Sequence, residues 1–513
     1  MKFRQKIFSI SFILILTFLF SSLLLLRTNW DIFDWASPTF LLNMINQVRE
    51  SFEPAHFPGA PFIEANYHQT NLFVIAIISE LLAISSGQGL QIFIIFFGAV
   101  AFTMTLYLGF RNNGIILGSL IVLIGYFSAS LPTKELLFSA TSPVQWYQYL
   151  SLFEYHISNS WPLSLFVISI LALVFNQKGF SWMAILILML ILPGINAYAF
   201  TVMFLAALSL LLFEIKETNY APRSIAILLG LIILYILPKY YPTAMIMGNS
   251  YEELVIFPRF IQSNYFNFAL EVLRLNNLFT LFAIPLSIVL AFGKDKVHRY
   301  FSIALLVAFF MPFFVSITNI SVWDNTHKSV VLSSYLSIIN WSLYLKDNIL
   351  NRKIVLIFLT SVFLSLPANI NLFTLRIDAP WVKTNKEHLE RLDNNSESLF
   401  RDFNINTMFW LYPQKTKCEG FIYFLSKTSA AAAGCYYPSF FLLSKEIESR
   451  IKKEQKWYEN DFQEILKNYD NYSNIAIAKK VDENSLLNVL KDKRIEFSGR
   501  KLIQDYVMYK IHL

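Results

Sequence analysis

The sequence predicts an all-α polytopic membrane protein of roughly 11–13 transmembrane helices, followed by a smaller C-terminal soluble α/β region. Two observations lead to this fold class. Hydrophobic residues make up 55% of the 513 residues and charged residues only 15%, a balance more apolar than that of soluble domains. The apolar residues also fall in repeated runs, several of them close to the about 20 residues that a helix needs to cross a bilayer.

The first apolar run, at about residues 8–26, follows Lys2, Arg4 and Lys6. The run is long, no small-residue cleavage site follows it, and further runs do, so we expect an uncleaved first helix with a cytoplasmic N-terminus. The first loop, at residues 27–70, then faces outward. Within it, Phe40–Val48 has the apolar spacing of a short interfacial helix.

Further apolar runs lie at residues 71–86, 88–109, 114–131, 160–176, 180–196, 198–213, 224–237, 277–293, 300–319, 329–345 and 354–371. Basic residues between the later runs indicate that the loops at 132–159, 238–275 and 320–328 are external, as is the C-terminal tail. Counted forward from the first helix, however, three spans between residues 71 and 131 place loop 132–159 in the cytoplasm. One segment there is therefore miscounted as a span, or is re-entrant.

The composition divides the chain into a transmembrane domain at residues 1–375 and a soluble, external domain at residues 376–513. The second domain carries over half of the Lys and Arg residues, as a water-exposed region would. It mixes a helical pattern at 444–466 with strand-like runs at 475–478 and 502–509. Its two cysteines, Cys418 and Cys435, form either a disulfide or two free thiols.

The first external loop gathers the residues best suited to proton transfer or cation binding. Asp31 and Asp34 stand three residues apart among aromatic residues, and His56, Glu64 and His68 follow downstream. Carboxylates and imidazoles are the usual general acids and bases of enzymes. The formal charge of +7 reflects basic clusters at the ends of apolar runs and does not indicate nucleic-acid binding. Phosphate-binding glycine loops, metalloprotease helices and nucleophile elbows are absent from the sequence.

This layout resembles the GT-C class of membrane glycosyltransferases, in which the first external loop carries the catalytic acids and many helices follow. The likeness is carried by Asp31 and Asp34 just after the first helix, by the segment Glu64–His68, and by Trp323–Thr326 before a late span. A terminal soluble domain is also usual in that class.

The resemblance implies transfer of a sugar from a polyprenyl-phosphate donor to an acceptor hydroxyl at the outer face of the cytoplasmic membrane, in the cell envelope. Asp34 is then the catalytic base, and Asp31 is its partner or a ligand for a divalent cation. The expected partners are the lipid bilayer and the lipid-linked sugar, without nucleic acid. The substrate-binding candidates are His56, Glu64, His68, Arg259, Asp324, His327 and Lys328. We expect Asp34, His68 and Asp324 to line one cavity.

Several alternatives stand beside this interpretation. The chain can be a transporter or flippase of lipid-linked or small solutes, or a non-catalytic scaffold whose external tail binds a partner. Asp31 can simply cap the short helix that follows it. Glu154 and His156 can join the site only if loop 132–159 is external.

Overall fold

The structure is a computed structural model, and it describes the chain in separate ranges. These are residues 2–31, 36–57, 60–64, 69–128, 151–155, 161–213, 220–240, 272–273, 275–316, 322–345, 359–360, 407–410, 431–433, 474–478, 483–492, 496–503 and 506–512. The chain divides into two compact units. The helical unit contains residues 1–28, 91–248 and 252–378, and the mixed unit contains residues 29–90, 249–251 and 379–513.

Apolar helices build the helical unit, because a backbone in lipid can satisfy its hydrogen bonds only within the segment itself. The helices are α1 (Lys2–Asp31), α4 (Ser86–Phe127), the single turn α5 (Leu152–Tyr155), α6 (Pro162–Lys178), α7 (Trp182–Ile195), α8 (Ala197–Phe213), α9 (Tyr220–Tyr240), α10 (Leu278–Ala291), α11 (Lys296–Ser316) and α12 (Val322–Tyr344). The last residues of α1 (29–31) and the first residues of α4 (86–90) belong to the mixed unit. Among the described residues, three helices are long and apolar enough to cross a membrane, and shorter apolar helices accompany them.

Helix α4 is a tight helical hairpin that reverses at one glycine. Gly114 has φ 76° and ψ 173°, a conformation that glycine adopts at little cost. Below the turn the two arms touch through Gly109 and Gly118, where a Cβ on Gly118 would lie 2.5 Å from the carbonyl carbon of Gly109. Small residues of this kind let helix backbones approach closely in membranes.

A stripe of buried polar residues runs along α12, which packs against α10 and α11. The stripe consists of Ser329, Ser333, Ser334, Ser337, Asn340 and Ser342. Ser329 Oγ donates to the Ala308 carbonyl at 2.6 Å, and Asn340 Nδ2 donates to the Phe301 carbonyl at 3.2 Å. Such bonds hold transmembrane helices together where no hydrophobic driving force acts between them.

The mixed unit combines part of the first loop with the C-terminal region. From the first loop come α2 (Ala36–Ser51), a hairpin of β1 (His56–Phe57) and β2 (Ala60–Glu64), and α3 (Gln69–Leu81). From the C-terminal region come β3 (Thr407–Trp410), β4 (Ala431–Ala433), β5 (Asn474–Ala478), α13 (Glu483–Asp492), β6 (Glu496–Ile503) and β7 (Tyr506–His512).

The five C-terminal strands form one mixed sheet in the order β4-β3-β5-β7-β6. Strand β3 is parallel to both β4 and β5, whereas β7 is antiparallel to both β5 and β6. Strand β2 of the first loop contacts β4. Two distant parts of the sequence therefore build a single folded unit.

The mostly helical fold class expected from the sequence is confirmed, and α2 confirms the helix expected at Phe40–Val48. The structure corrects two boundaries. Helix α12 begins at Val322, so the expected loop 320–328 is helical over most of its length. The strand-like run at 502–509 contains the turn between β6 and β7. Cys418, Cys435 and the helical pattern at 444–466 lie outside the described residues.

Candidate functional site

Asp31 is the last residue of α1. It therefore does not cap α2, which begins five residues later at Ala36, and the capping interpretation of Asp31 is wrong. Asp34 lies outside the described residues.

The hairpin of the first loop brings two candidate residues side by side. Strands β1 and β2 are antiparallel, and their register pairs His56 with Glu64. Residues directly opposite each other in an antiparallel pair are close neighbours on one face. The sequence separation of these two residues did not predict this pairing, because it depends on the turn between the strands. His68 lies outside the described residues.

Helices α2 and α3 pack together and bury amide side chains that the sequence analysis did not single out. Asn43, Gln47 and Asn71 are each at most 4% exposed, and Gln47 Nε2 donates to Asn43 Oδ1 at 2.8 Å. Gln69 Nε2 donates to the Ala55 carbonyl at 3.4 Å, just before β1. The signal in the sequence was the four-residue spacing of Asn43 and Gln47, which places both on one helix face.

Arg49 joins the ends of three elements. Arg49 lies in the last turn of α2. Its Nε donates to Oε1 of Glu80 in α3 at 2.7 Å. Its Nη1 donates to Oγ of Ser86, the first residue of α4, at 3.1 Å. Ser86 Oγ in turn donates to Asn46 Oδ1 of α2. This junction closes the segment that follows Asp31 and fixes the positions of α2 and α3.

The first turns of α12 carry the candidates from the late motif. Asp324, His327 and Lys328 all fall within the helix, and Asp324 and Lys328 share one face because they stand four residues apart. Lys328 is 8% exposed. Arg259 lies outside the described residues.

The structure thus places the candidates in two groups. Asp31, His56 and Glu64 belong to the mixed unit, and Asp324, His327 and Lys328 belong to the helical unit. Within the described residues, no group of three or more His, Cys, Asp or Glu side chains is arranged to hold a metal ion. The convergence of Asp34, His68 and Asp324 on one cavity stays a prediction.

The sequence matches no protein-family model and no curated protein. Several solved structures are similar to the chain. ArnT from Cupriavidus metallidurans bound to undecaprenyl phosphate is 9% identical and aligns over 97% of both chains with a TM-score of 0.47. The apo oligosaccharyltransferase of Archaeoglobus fulgidus is 10% identical and aligns over 92% of this chain and 70% of its own, with a TM-score of 0.46.

The mycobacterial arabinofuranosyltransferase AftD is 10% identical, with a TM-score of 0.42, and aligns over 97% of this chain but only 40% of its own. All three are GT-C glycosyltransferases, so the resemblance expected from the sequence recurs among solved structures.

Proposed function

We propose that the chain is a membrane glycosyltransferase that moves a sugar from a polyprenyl-phosphate donor to an acceptor hydroxyl at the outer membrane face. The observation that supports this most is the pairing of His56 with Glu64 in the compact unit that also holds Asp31. Proton-transfer groups from separate parts of the first loop are therefore built into one folded unit.

The chemistry of a lipid-linked donor explains why a site in the first loop suits this reaction. The polyprenyl tail stays in the hydrocarbon while the sugar sits at the interface, so the acceptor must be deprotonated beside the membrane. A carboxylate general base contributes roughly 10²- to 10⁴-fold to such a step. We assign this role to Asp34, with Asp31 as its partner or as the ligand of a divalent cation.

Cationic groups are needed for the departing polyprenyl phosphate. We assign them to Lys328, with His327 and Arg259 as further donors, because charge-assisted hydrogen bonds to phosphate are the strong ones. Lys328 lies in the first turns of α12, and four residues before it stands Asp324. Both positions lie at the N-terminal end of α12, and the distribution of basic residues between the apolar runs predicts that this end faces outward.

The test is transfer of radiolabelled sugar from polyprenyl phosphate in membranes that contain each variant. Asp34→Asn keeps the side-chain shape but removes its basicity, so we expect turnover to fall by roughly 10²- to 10⁴-fold while donor binding stays nearly unchanged. Asp31→Asn should recover activity at high divalent concentration if Asp31 holds a cation. Wild-type turnover in Asp34→Asn would remove that residue as the base.

Asp295→Asn is the matched control. Asp295 Oδ1 accepts from the backbone N–H groups of Val297 and His298 at 2.7 and 3.0 Å and caps α11. The side-chain oxygen of Asn can accept the same bonds, so both stability and turnover should stay nearly unchanged. Full activity in the double variant of Asp31 and Asp34 would instead favour the scaffold interpretation.

A further inference from the structure

Helix α11 contains a proline that leaves one backbone carbonyl without its usual donor. In a regular α-helix the N–H of each residue donates to the carbonyl four residues earlier. Pro312 lies inside α11 and has no N–H, so the Ala308 carbonyl cannot receive that bond. Ala308 is fully buried, and a buried carbonyl without a donor is costly. A donor from another element is therefore expected at Ala308.

Ser329 of α12 supplies that donor. Its Oγ donates to the Ala308 carbonyl at 2.6 Å, and both residues are buried. A helical serine can instead donate to a carbonyl in the preceding turn of its own helix, as Ser337 of α12 does to the Ser333 carbonyl at 2.7 Å. The hydroxyl of Ser329 thus joins two helices through an acceptor that the missing N–H of Pro312 leaves available.

Tyr198 of α8 lies beside the same carbonyl. Its hydroxyl oxygen is 3.5 Å from the Ala308 oxygen, which is long for a hydrogen bond. A carbonyl oxygen has two lone pairs, so this contact leaves room for Ser329. Helices α8, α11 and α12 therefore meet at one backbone group, and all three belong to the helical unit.

The bond to Ser329 fixes α12 next to a candidate phosphate-binding residue. Lys328 directly precedes Ser329 in the chain and is itself buried. Farther along α12, Asn340 Nδ2 donates to the Phe301 carbonyl of α11 at 3.2 Å. Residue numbers thus rise along α12 as they fall along α11, and the two bonds lie towards opposite ends of this antiparallel pair. The Ala308 carbonyl holds the end that carries Lys328.

We propose that Pro312 is a positioning residue for Lys328 and acts through the Ala308 carbonyl and Ser329. An N–H at position 312 would return the Ala308 carbonyl to the hydrogen bonds of α11, and Ser329 would lose the acceptor that fixes it. The ammonium of Lys328 would then no longer be held in one place for the polyprenyl phosphate. The phosphate-binding role of Lys328 rests on the proposed function, whereas its positioning by Pro312 does not.

The first test measures the exposure of position 328 and requires no activity. Lys328→Cys is the single cysteine in a full-length chain with Cys418→Ser and Cys435→Ser, and its rate of reaction with a maleimide is measured in detergent. Pro312→Ala and Ser329→Ala should each raise that rate by roughly 3- to 10-fold, because the loss of one hydrogen bond increases the population of the open state. Ser329→Thr keeps the hydroxyl and should leave the rate unchanged.

Pro285→Ala is the matched control. Pro285 also lies inside a helix, α10, but on its exposed surface, so its substitution should not change the labelling of position 328. The double variant of Pro312→Ala with Ser329→Ala should react no faster than Ser329→Ala alone, because both changes break the same bond. Unchanged labelling in Pro312→Ala, or rate increases that multiply in the double variant, would overturn the inference.

The second test is the KM for the polyprenyl-phosphate donor in chains that retain Lys328. Ser329→Ala and Pro312→Ala should raise this KM with a smaller change in turnover at saturating donor, and Ser329→Thr should keep the wild-type KM. A purely structural role would lower the amount of active protein and leave the KM unchanged.

The two proposals fail in different ways. If labelling changes as expected but the donor KM stays unchanged even in Lys328→Met, the role of Lys328 in the proposed function is wrong and its positioning by Pro312 stands. If Lys328→Met raises the donor KM but Ser329→Ala does not, the positioning role in donor binding is wrong.

Discussion

Lys328 is a charged residue at a buried position. It is 8% exposed at the start of α12, and a buried ammonium is retained only where it finds compensating polar or charged groups. In the proposed reaction the phosphate of the donor adds to the interactions that Lys328 already makes within the folded chain. The same charge on a lipid-facing helix would only destabilise the fold.

We predict that Lys328→Met raises the KM for the polyprenyl-phosphate donor by about 10- to 100-fold, because a hydrogen bond to a charged group contributes roughly 1.5–3 kcal/mol. Turnover at saturating donor should change less. Steady-state kinetics in detergent at varied donor concentration measures both. Lys178→Met is the control, since Lys178 is exposed in the last turn of α6. An unchanged donor KM in Lys328→Met would exclude a phosphate-binding role.

Helix α4 depends on contact between two glycines, which no hydropathy profile reveals. Gly109 and Gly118 lie so close together that neither position has room for a side chain. The positive φ of Gly114 lets the chain reverse its direction at that single residue. The two arms therefore pack as a unit, and the Ser128 carbonyl, just after the second arm, accepts from Asn277 Nδ2 at the start of α10.

We predict that Gly118→Val lowers the free energy of unfolding by roughly 1–3 kcal/mol, the usual cost of forcing extra atoms into a packed contact. The midpoint of thermal unfolding in detergent is the measurement. Ile116→Val is the matched control, because Ile116 is 79% exposed on the same arm. Equal midpoints for the two variants would contradict the close contact between the arms.

Hydropathy predicted most of the helices to within a few residues, as α6, α7 and α8 show. It predicted the start of α12 less well, because the polar residues between Val322 and the apolar run that begins at 329 give no hydropathy signal. The candidate residues stay predictions, and the pairing of His56 with Glu64 and the place of Asp31 at the end of α1 depended on backbone conformation.

The mixed unit ties the first loop to the far end of the chain. Strand β2 contacts β4, and β4 is the edge strand of the five-stranded sheet. The two regions are over 300 residues apart in sequence, so this contact closes a long loop whose entropic cost grows only slowly with length.

We predict that a chain ending at Asp378 keeps the helical unit in the membrane but leaves residues 29–90 sensitive to protease, because β2 loses its neighbour β4. Limited proteolysis of right-side-out vesicles with an N-terminal tag measures this, with the full-length chain as control. Resistance equal to that of the full-length chain would show that the first loop folds without the C-terminal region.

The sequence by itself determined that the chain is a multi-pass helical protein with a polar first loop and a charge-rich C-terminal region, because these properties depend on local composition and apolar run length. The tertiary contacts decided how those parts combine. The bond between Gln91 and Thr28 brings the start of α4 beside the end of α1, and the contact of β2 with β4 joins the first loop to the C-terminal sheet. Both depend on residues far apart in the chain, whose encounter is set by packing and strand register and leaves no periodic signal in either segment.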